Sequence, residues 1–242
     1  MGKFTFVKGN HFFDPDSVTE PLEEGFMEGD RRLDAQVSAE HIRTVMENYL
    51  AVNLKADLFF FMEVPLHLDE EKIEKEPEGD KPGILTSQHR MVYYLDHIDA
   101  KEGMKILDIF GEVLINDGLS AFGFGTKDSE IGKYPYNEML LQMYEDMEPW
   151  KKVFLLADVP ERKELTFADD VFSWKNPGVC ERYEDAQGRT VYDVVDALKE
   201  AGLYEAEIRE DDPDDDDPSP ESDPPDEENM ETFIKKLFNE QK

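Results

Sequence analysis

The fold is decided by residues 89–144, HRMVYYLDHIDAKEGMKILDIFGEVLINDGLSAFGFGTKDSEIGKYPYNEMLLQMY, in which strand-like and helix-like patterns alternate. The run around Val92 to Leu95 is rich in β-favouring residues and apolar on both faces, which predicts an inner strand. Asp99 stands three residues before Glu102, a spacing typical of a capping box, and apolar residues then recur at helical intervals. Residues 116–118, Asn-Asp-Gly, predict a left-handed end to this helix.

Two further strands are predicted after the helix. In residues 119–124, Gly123 interrupts the aromatic residues, which predicts a bulge or a close approach of the backbone. A polar turn at 127–129 leads into a strand that runs on to Met143 and contains Pro135, and a proline favours an edge position or a bulge because it cannot donate to a ladder. The unit is therefore predicted to be β-α-β-β.

The preceding residues add elements of the same kind. Residues 3–7 predict a short strand, and residues 10–34 predict a long irregular connection because glycine, proline and acidic residues are frequent there. Ser38 is positioned to cap a helix, and residues 56–66 are apolar enough for a buried strand. This order predicts an α+β fold, a mainly antiparallel sheet with helices packed on one face, for which a ferredoxin-like arrangement is one topology.

Four segments are predicted from the composition along the chain. Residues 1–164 form an α+β core domain with a charged insert at 69–83, and residues 165–205 form a helical extension packed on it. Residues 206–228 are predicted to be a disordered acidic linker, because the run from Asp211 to Glu228 repels itself and cannot bury apolar surface. Residues 229–242 are predicted to be an amphipathic helix, whose receiving groove belongs to the same molecule, a second copy or another protein. Its apolar stripe comprises Met230, Phe233, Ile234, Leu237 and Phe238.

Charge is the outstanding feature of the composition. The formal net charge is −32, and twelve acidic residues lie between Glu210 and Glu228, so subtracting them leaves −20 on the remainder. Such a charge repels nucleic acid and anionic membranes and attracts a cationic partner over long range. The single cysteine, Cys180, excludes an intrachain disulfide and a multi-thiolate zinc site, and no long apolar segment occurs, so a cytoplasmic protein is predicted.

No group of residues has the sequence spacing of a known motif for catalysis, cofactor binding or metal binding. No two of the five histidines have the spacing that would let them bind one metal ion from a helix (HxxxH) or from a strand (HxH). Gly123 and Gly125 are followed by Asp128 where a dinucleotide-binding motif requires glycine, and no P-loop sequence occurs. We therefore predict no catalytic residue, no cofactor and no metal ligand.

The leading functional hypothesis is a non-enzymatic, acidic protein-binding module from a bacterium. It would be an immunity-type inhibitor that occludes a basic site on a toxin or nuclease, without binding nucleic acid or membranes directly. Two tyrosines of the central stretch and four residues of the terminal apolar stripe are predicted to contact the partner. They are Tyr134 and Tyr136, and Phe233, Ile234, Leu237 and Phe238.

Two alternatives belong to other functional classes. One is an enzyme with a dispersed site at the Gly123–Tyr136 segment, with His89, His97 and Glu138 as its titratable groups. The other is a structural protein that self-associates into a homo-oligomer through its C-terminal helix.

Overall fold

The computed structural model describes residues 4–15, 22–66, 89–144, 146–173 and 176–210. Among these residues there are ten strands and four α-helices. The strands are β1 (Asn10–Phe12), β2 (Gly25–Gly29), β3 (Arg32–Gln36), β4 (Leu58–Pro65), β5 (His89–Ile98), β6 (Ala121–Gly125), β7 (Ser129–Lys133), β8 (Glu138–Met143), β9 (Gly178–Cys180) and β10 (Tyr204–Glu210). The helices are α1 (Ala39–Val52), α2 (Ala100–Asn116), α3 (Glu148–Leu155) and α4 (Val191–Lys199).

Eight of these strands form one antiparallel sheet in the order β10-β5-β4-β6-β7-β8-β3-β2, and β1 pairs separately with β9. Helices α1 and α2 pack together and against β6, which confirms the predicted α+β fold with helices on one face of an antiparallel sheet. We call this side the helix face and the opposite side the second face. The ferredoxin-like topology is wrong, because the strands that flank the central unit extend the sheet to eight.

The core fills the space between the helices and the helix face. It contains the alternate side chains of the central strands, including Phe60, Phe122 and Phe124, all of which are buried. The apolar stripe of α1 meets them with Ile42, Val45, Met46, Tyr49 and Leu50. No helix in the described part of the chain has the length and apolarity that a bilayer crossing requires.

Helix α2 begins with the predicted capping box, but the backbone conformation at its C-terminal end differs from the prediction. The Asp99 carboxylate accepts hydrogen bonds from the backbone N–H groups of Lys101 and Glu102, and the Glu102 carboxylate accepts one from the Asp99 N–H. At the other end Asp117 is extended, with φ −69°, so the predicted left-handed ending is wrong. Glycine is required at 118 for another reason: a Cβ there would collide with the backbone of Gly9.

The strand predicted to contain Pro135 is in fact two inner strands, β7 and β8. Residues 135–137 form a 3-10 turn between them, in which Tyr136 and Asn137 have φ angles of 57° and 67°. The proline lies in the turn, where its missing N–H is not needed by the ladder. The central unit is therefore β-α-β-β-β, and the predicted edge position is wrong because β7 and β8 each have a partner on both sides.

Both ends of the described chain also differ from the predictions. Residues 4–7 do not form a strand, whereas the supposedly irregular residues 10–34 contain β1, β2 and most of β3. The 165–205 extension contains β9 as well as helix α4, and β10 continues to Glu210 inside the predicted linker. Short strands rich in charge and glycine lack a clear alternating pattern, which is why they were missed. The 69–83 insert, the linker beyond 210 and the 229–242 helix lie outside the described residues.

Candidate functional site

The structure separates the two tyrosines that were predicted to contact a partner. The ring of Tyr136 packs at 4.6 Å from that of Phe172, and its side chain lies against Gly178, so it belongs to a cluster beside the β1–β9 pair. Tyr134 lies at the end of β7 with its ring over Gly132, on the second face. The other predicted contacts, Phe233, Ile234, Leu237 and Phe238, lie outside the described residues.

The groups suggested for a dispersed enzymatic site do not converge. His89 and His97 stand near opposite ends of β5, about 27 Å apart for a strand of this length. Glu138 is on β8, and three strands separate β8 from β5. Nδ1 of His97 is 3.0 Å from a carboxylate oxygen of Asp57 at the surface. Within the described residues no group of three or more His, Cys, Asp or Glu side chains is arranged to hold a metal ion.

The glycines of β6 and β7, Gly123, Gly125 and Gly132, leave a strip of backbone without side chains on the second face, which we call the glycine floor. In β6 the phenylalanines point to the helix face, so Gly123 and Gly125 leave the second face without side chains. The ring of Phe61 fills this space over Gly123, where a Cβ would lie 2.5 Å from the ring, and the ring of Phe59 lies over Gly125 in the same way. The flat packing of aromatic rings on glycine is a known device in sheets.

Tyr94 on β5 joins these rings. Its ring centroid is 5.7 Å from that of Phe59 and 6.4 Å from that of Phe61, both within the range of favourable aromatic pairs. We call Phe59, Phe61, Tyr94 and Tyr134 the aromatic patch. Phe61 is buried, and the other three are half-buried. The patch therefore combines apolar ring surface with two phenol hydroxyls.

Two carboxylates, from Glu63 and Glu130, accompany the aromatic patch. A guanidinium nitrogen of Arg209 on β10 lies 2.5 Å from Glu63, and its Nε lies 2.7 Å from Glu207. Glu130 is half-buried, and within the described residues its side chain forms no hydrogen bond or ion pair. Burial raises the pKa of Glu130; the charge of Arg209 opposes this shift and that of Glu63 adds to it. The two carboxylates are thus close enough to repel each other.

Burial also raises the pKa of both tyrosines in the patch. For Tyr134 the charges of Glu63 and Glu130 add to this shift, because a second negative charge is unfavourable beside them. At neutral pH both hydroxyls are therefore protonated and able to donate hydrogen bonds. The patch offers rings, hydroxyl donors and carboxylate acceptors on one surface.

A second group of acids surrounds Glu138, the first residue of β8, where residues 167–172 lie against the second face. The backbone N–H of Ala168 donates to Oε1 of Gln36 at 2.9 Å. Burial, followed by the charges of Asp169, Asp170 and Asp34, raises the pKa of Glu138 to about 8. Glu138 therefore holds a proton at neutral pH, beside Asp169, whose pKa burial also raises.

The helix face contains a buried cation, Lys133, next to Cys180. The Lys133 ammonium donates to the backbone oxygen of Asp117 at 2.7 Å, and burial lowers its pKa to about 8. The Asn10 side-chain amide donates to the sulfur of Cys180 at 3.2 Å. Burial raises the pKa of this thiol, so it stays protonated at neutral pH and is a poor nucleophile.

Sequence reasoning found only Tyr134 of the residues in this site. It missed Phe59, Phe61 and Tyr94, which resemble core residues in a strand that is apolar on both faces, and it had no means to bring Arg209 beside Glu63. The available signal was the alternation Phe-Gly-Phe-Gly at 122–125, which leaves one face of the strand without side chains and so lets other groups approach it closely. Comparison of the chain with family models, curated proteins and solved structures gave no match.

Proposed function

We propose that this chain is a non-enzymatic, acidic protein-binding module that captures a basic protein. Its role would be that of an immunity-type inhibitor, which occludes the basic site of a toxin or nuclease. The observation that carries the proposal is the placement of Glu63 and Glu130 beside four aromatic rings on a strongly anionic body. The second face is the surface proposed to contact the partner.

Charge and rings contribute different parts of such binding. The long-range negative field accelerates encounter with a cationic surface, and salt weakens this effect. Affinity depends on a few anchoring contacts that exclude water, in which tyrosine and arginine are enriched. The aromatic patch provides half-buried tyrosines, and the adjacent carboxylates provide partners for arginine.

The experiment is to immobilise the full chain and expose it to a lysate of its own cells at low and at high salt. We expect a basic protein to bind at low salt and to be released at high salt. A double variant, Tyr94→Ser with Tyr134→Ser, should bind much less of it, whereas a matched pair on the helix side, Tyr183→Ser with Tyr192→Ser, should bind normally. An acidic partner, or capture that salt does not change, would contradict the proposal.

The inhibitor role has its own measurement. The captured protein is assayed for cytotoxicity and for cleavage of DNA and RNA, alone and with an equimolar amount of this chain. We expect its activity to be suppressed by the full chain and restored by the tyrosine double variant. A partner that keeps its full activity when saturated with the chain would show that binding does not inhibit.

A further inference from the structure

Arg209 shows which chemistry the second face accommodates. Its guanidinium contacts the carboxylates of Glu63 and Glu207, and its positive charge partly opposes the effect of burial on the pKa of Tyr94. Arg209 is on β10, an edge strand of the sheet, and reaches Glu63 on β4 across β5. The face therefore already binds one guanidinium through carboxylates.

Among the described residues, Glu130 has no equivalent partner. Glu63 and Glu207 already share the guanidinium of Arg209, so an ionised Glu130 adds a further negative charge to this part of the second face. Charged side chains that are partly removed from water are normally paired. Burial raises the pKa of Glu130 more than the charge of Arg209 lowers it, as expected for a carboxylate that has lost water without a cation in direct contact.

We propose that Glu130, together with Tyr94 and Tyr134, forms a binding site for a second guanidinium, that of an arginine side chain on the partner protein. This inference rests on the proposed function and specifies the group that the site recognises. A planar guanidinium pairs with a carboxylate through two parallel hydrogen bonds and stacks on an aromatic ring. Glu130 and Gly132 lie on the same face of β7, and the ring of Tyr134 folds back over Gly132 towards Glu130. Glu130 is also opposite Gly125, which is covered by the ring of Phe59, the neighbour of Tyr94.

The ionisable groups that interact electrostatically with Glu130 on the second face come from β4, β5 and β10 and from the residue that follows β7. Tyr94 and Tyr134 carry ionisable hydroxyls that stay neutral, Glu63 adds negative charge, and Arg209 adds positive charge. A bound guanidinium stabilises the ionised form of Glu130 against the effect of burial. Binding therefore releases protons at any pH where part of the Glu130 population is protonated.

The test uses the full chain and the blocked peptide acetyl-Gly-Arg-Gly-amide, with acetyl-Gly-Gln-Gly-amide as the neutral probe. Titration is followed by the chemical shifts of the backbone amides of Gly132, Glu130 and Tyr134. We expect saturable shifts with the arginine peptide and none with the glutamine peptide. Glu130→Gln should weaken binding at least about tenfold, the loss of one charge-assisted contact.

A matched variant separates this site from the overall charge. Glu200→Gln makes the same charge change at an exposed position at the end of α4 and should leave peptide affinity unchanged. Arg209→Gln removes the resident cation and should strengthen peptide binding. Equal losses for Glu130→Gln and Glu200→Gln, or no saturable shift in the unmodified chain, would overturn the site.

The two proposals fail in different ways. If the chain captures a basic protein but Glu130→Gln changes neither that capture nor peptide binding, the arginine site is wrong and the binding module remains. If the peptide binds at Glu130 but no basic protein is captured, the site remains and the proposed partner class is wrong.

Discussion

The two faces of the sheet use aromatic residues differently, as neighbouring residues of β4 illustrate. Phe60 is buried on the helix face among other core side chains, with its ring 5.4 Å from that of Phe124. Phe59 lies on the second face over a glycine and is half-buried. Rings that pack on the backbone form an ordered surface that stays partly exposed to solvent. Rings that pack among other side chains fill a core.

The faces also differ in the charges that they bury. The helix face contains one ammonium, Lys133, whose pKa is lowered, and the second face contains carboxylates whose pKa values are raised. Each buried group is pushed towards its neutral form, as desolvation requires. The partly buried carboxylates therefore stand on the face that the helices leave uncovered, which favours this face as the binding surface.

The largest expected effect is a difference in stability between alanine variants of the two phenylalanines. Phe60→Ala should lower the free energy of unfolding by about 4 kcal/mol, because a fully buried ring is removed from the core. Phe59→Ala should lower it by about 1 kcal/mol, because the ring is only half-buried. Urea unfolding of the two variants measures the difference; equal losses would show that the second face is packed like the core.

Glycine substitutions provide the next contrast. Gly123→Ala should lower the free energy of unfolding by about 3 kcal/mol, because the new Cβ meets the backbone oxygen of Ile131 and the ring of Phe61. Gly111→Ala, in helix α2, should raise it by about 1 kcal/mol, because the nearest atom is 3.6 Å away and alanine favours the helix. Thermal and urea unfolding measure both changes. A stable Gly123→Ala variant would mean that the ring moves away from the floor at little cost.

The smallest effect is the pH dependence caused by Glu138. Its folded pKa of about 8 is above its usual value of 4.5, so the stability that it contributes is complete below pH 4.5 and is lost as pH rises to 8. Since the charges of Asp169 and Asp170 contribute to this shift and water partly screens them, we expect a loss on the order of 2 kcal/mol, less than the full shift implies. Glu138→Gln should remove this loss and be the more stable protein at pH 8, as measured by urea unfolding across this range.

Lys133 provides an internal control for that measurement. Its lowered pKa makes stability rise with pH above about 8, the opposite slope in a different range. Glu138→Gln should leave this alkaline rise unchanged. If the variant has the same acid-to-neutral slope as the unmodified chain, Glu138 does not hold its proton in the folded state.

The predicted parts of the fold are those that local patterns specify. The Asp99 capping box, the apolar stripe of α1 and the buried strand at β4 follow from the spacing of apolar and capping residues within each segment, and all three are present. The edge strands β2 and β10 were missed because they are short and charged, and their pairing depends on partners that are distant in sequence.

The candidate site was predicted only in part for a similar reason. Tyr134 and the glycines of 123–132 lie in one stretch, and an unusual composition singled them out. Arg209, Glu63 and Glu130 come from separate strands, so only the order of the sheet brings them together. The large number of acidic residues also prevented the prediction of Glu63 and Glu130. Among 58 acidic residues, a few partly buried carboxylates have no distinguishing sequence signal.

The glycine floor has a consequence for how the chain can vary. The rings at 59, 61 and 134 occupy the volume that side chains at 125, 123 and 132 would otherwise fill, so each ring and its glycine form a reciprocal pair. In related chains the members of a pair should be replaced jointly: a small residue in place of the ring, with a larger one in place of the glycine. Such exchanges would mark lineages in which the second face has been remodelled while the sheet and its helices are retained.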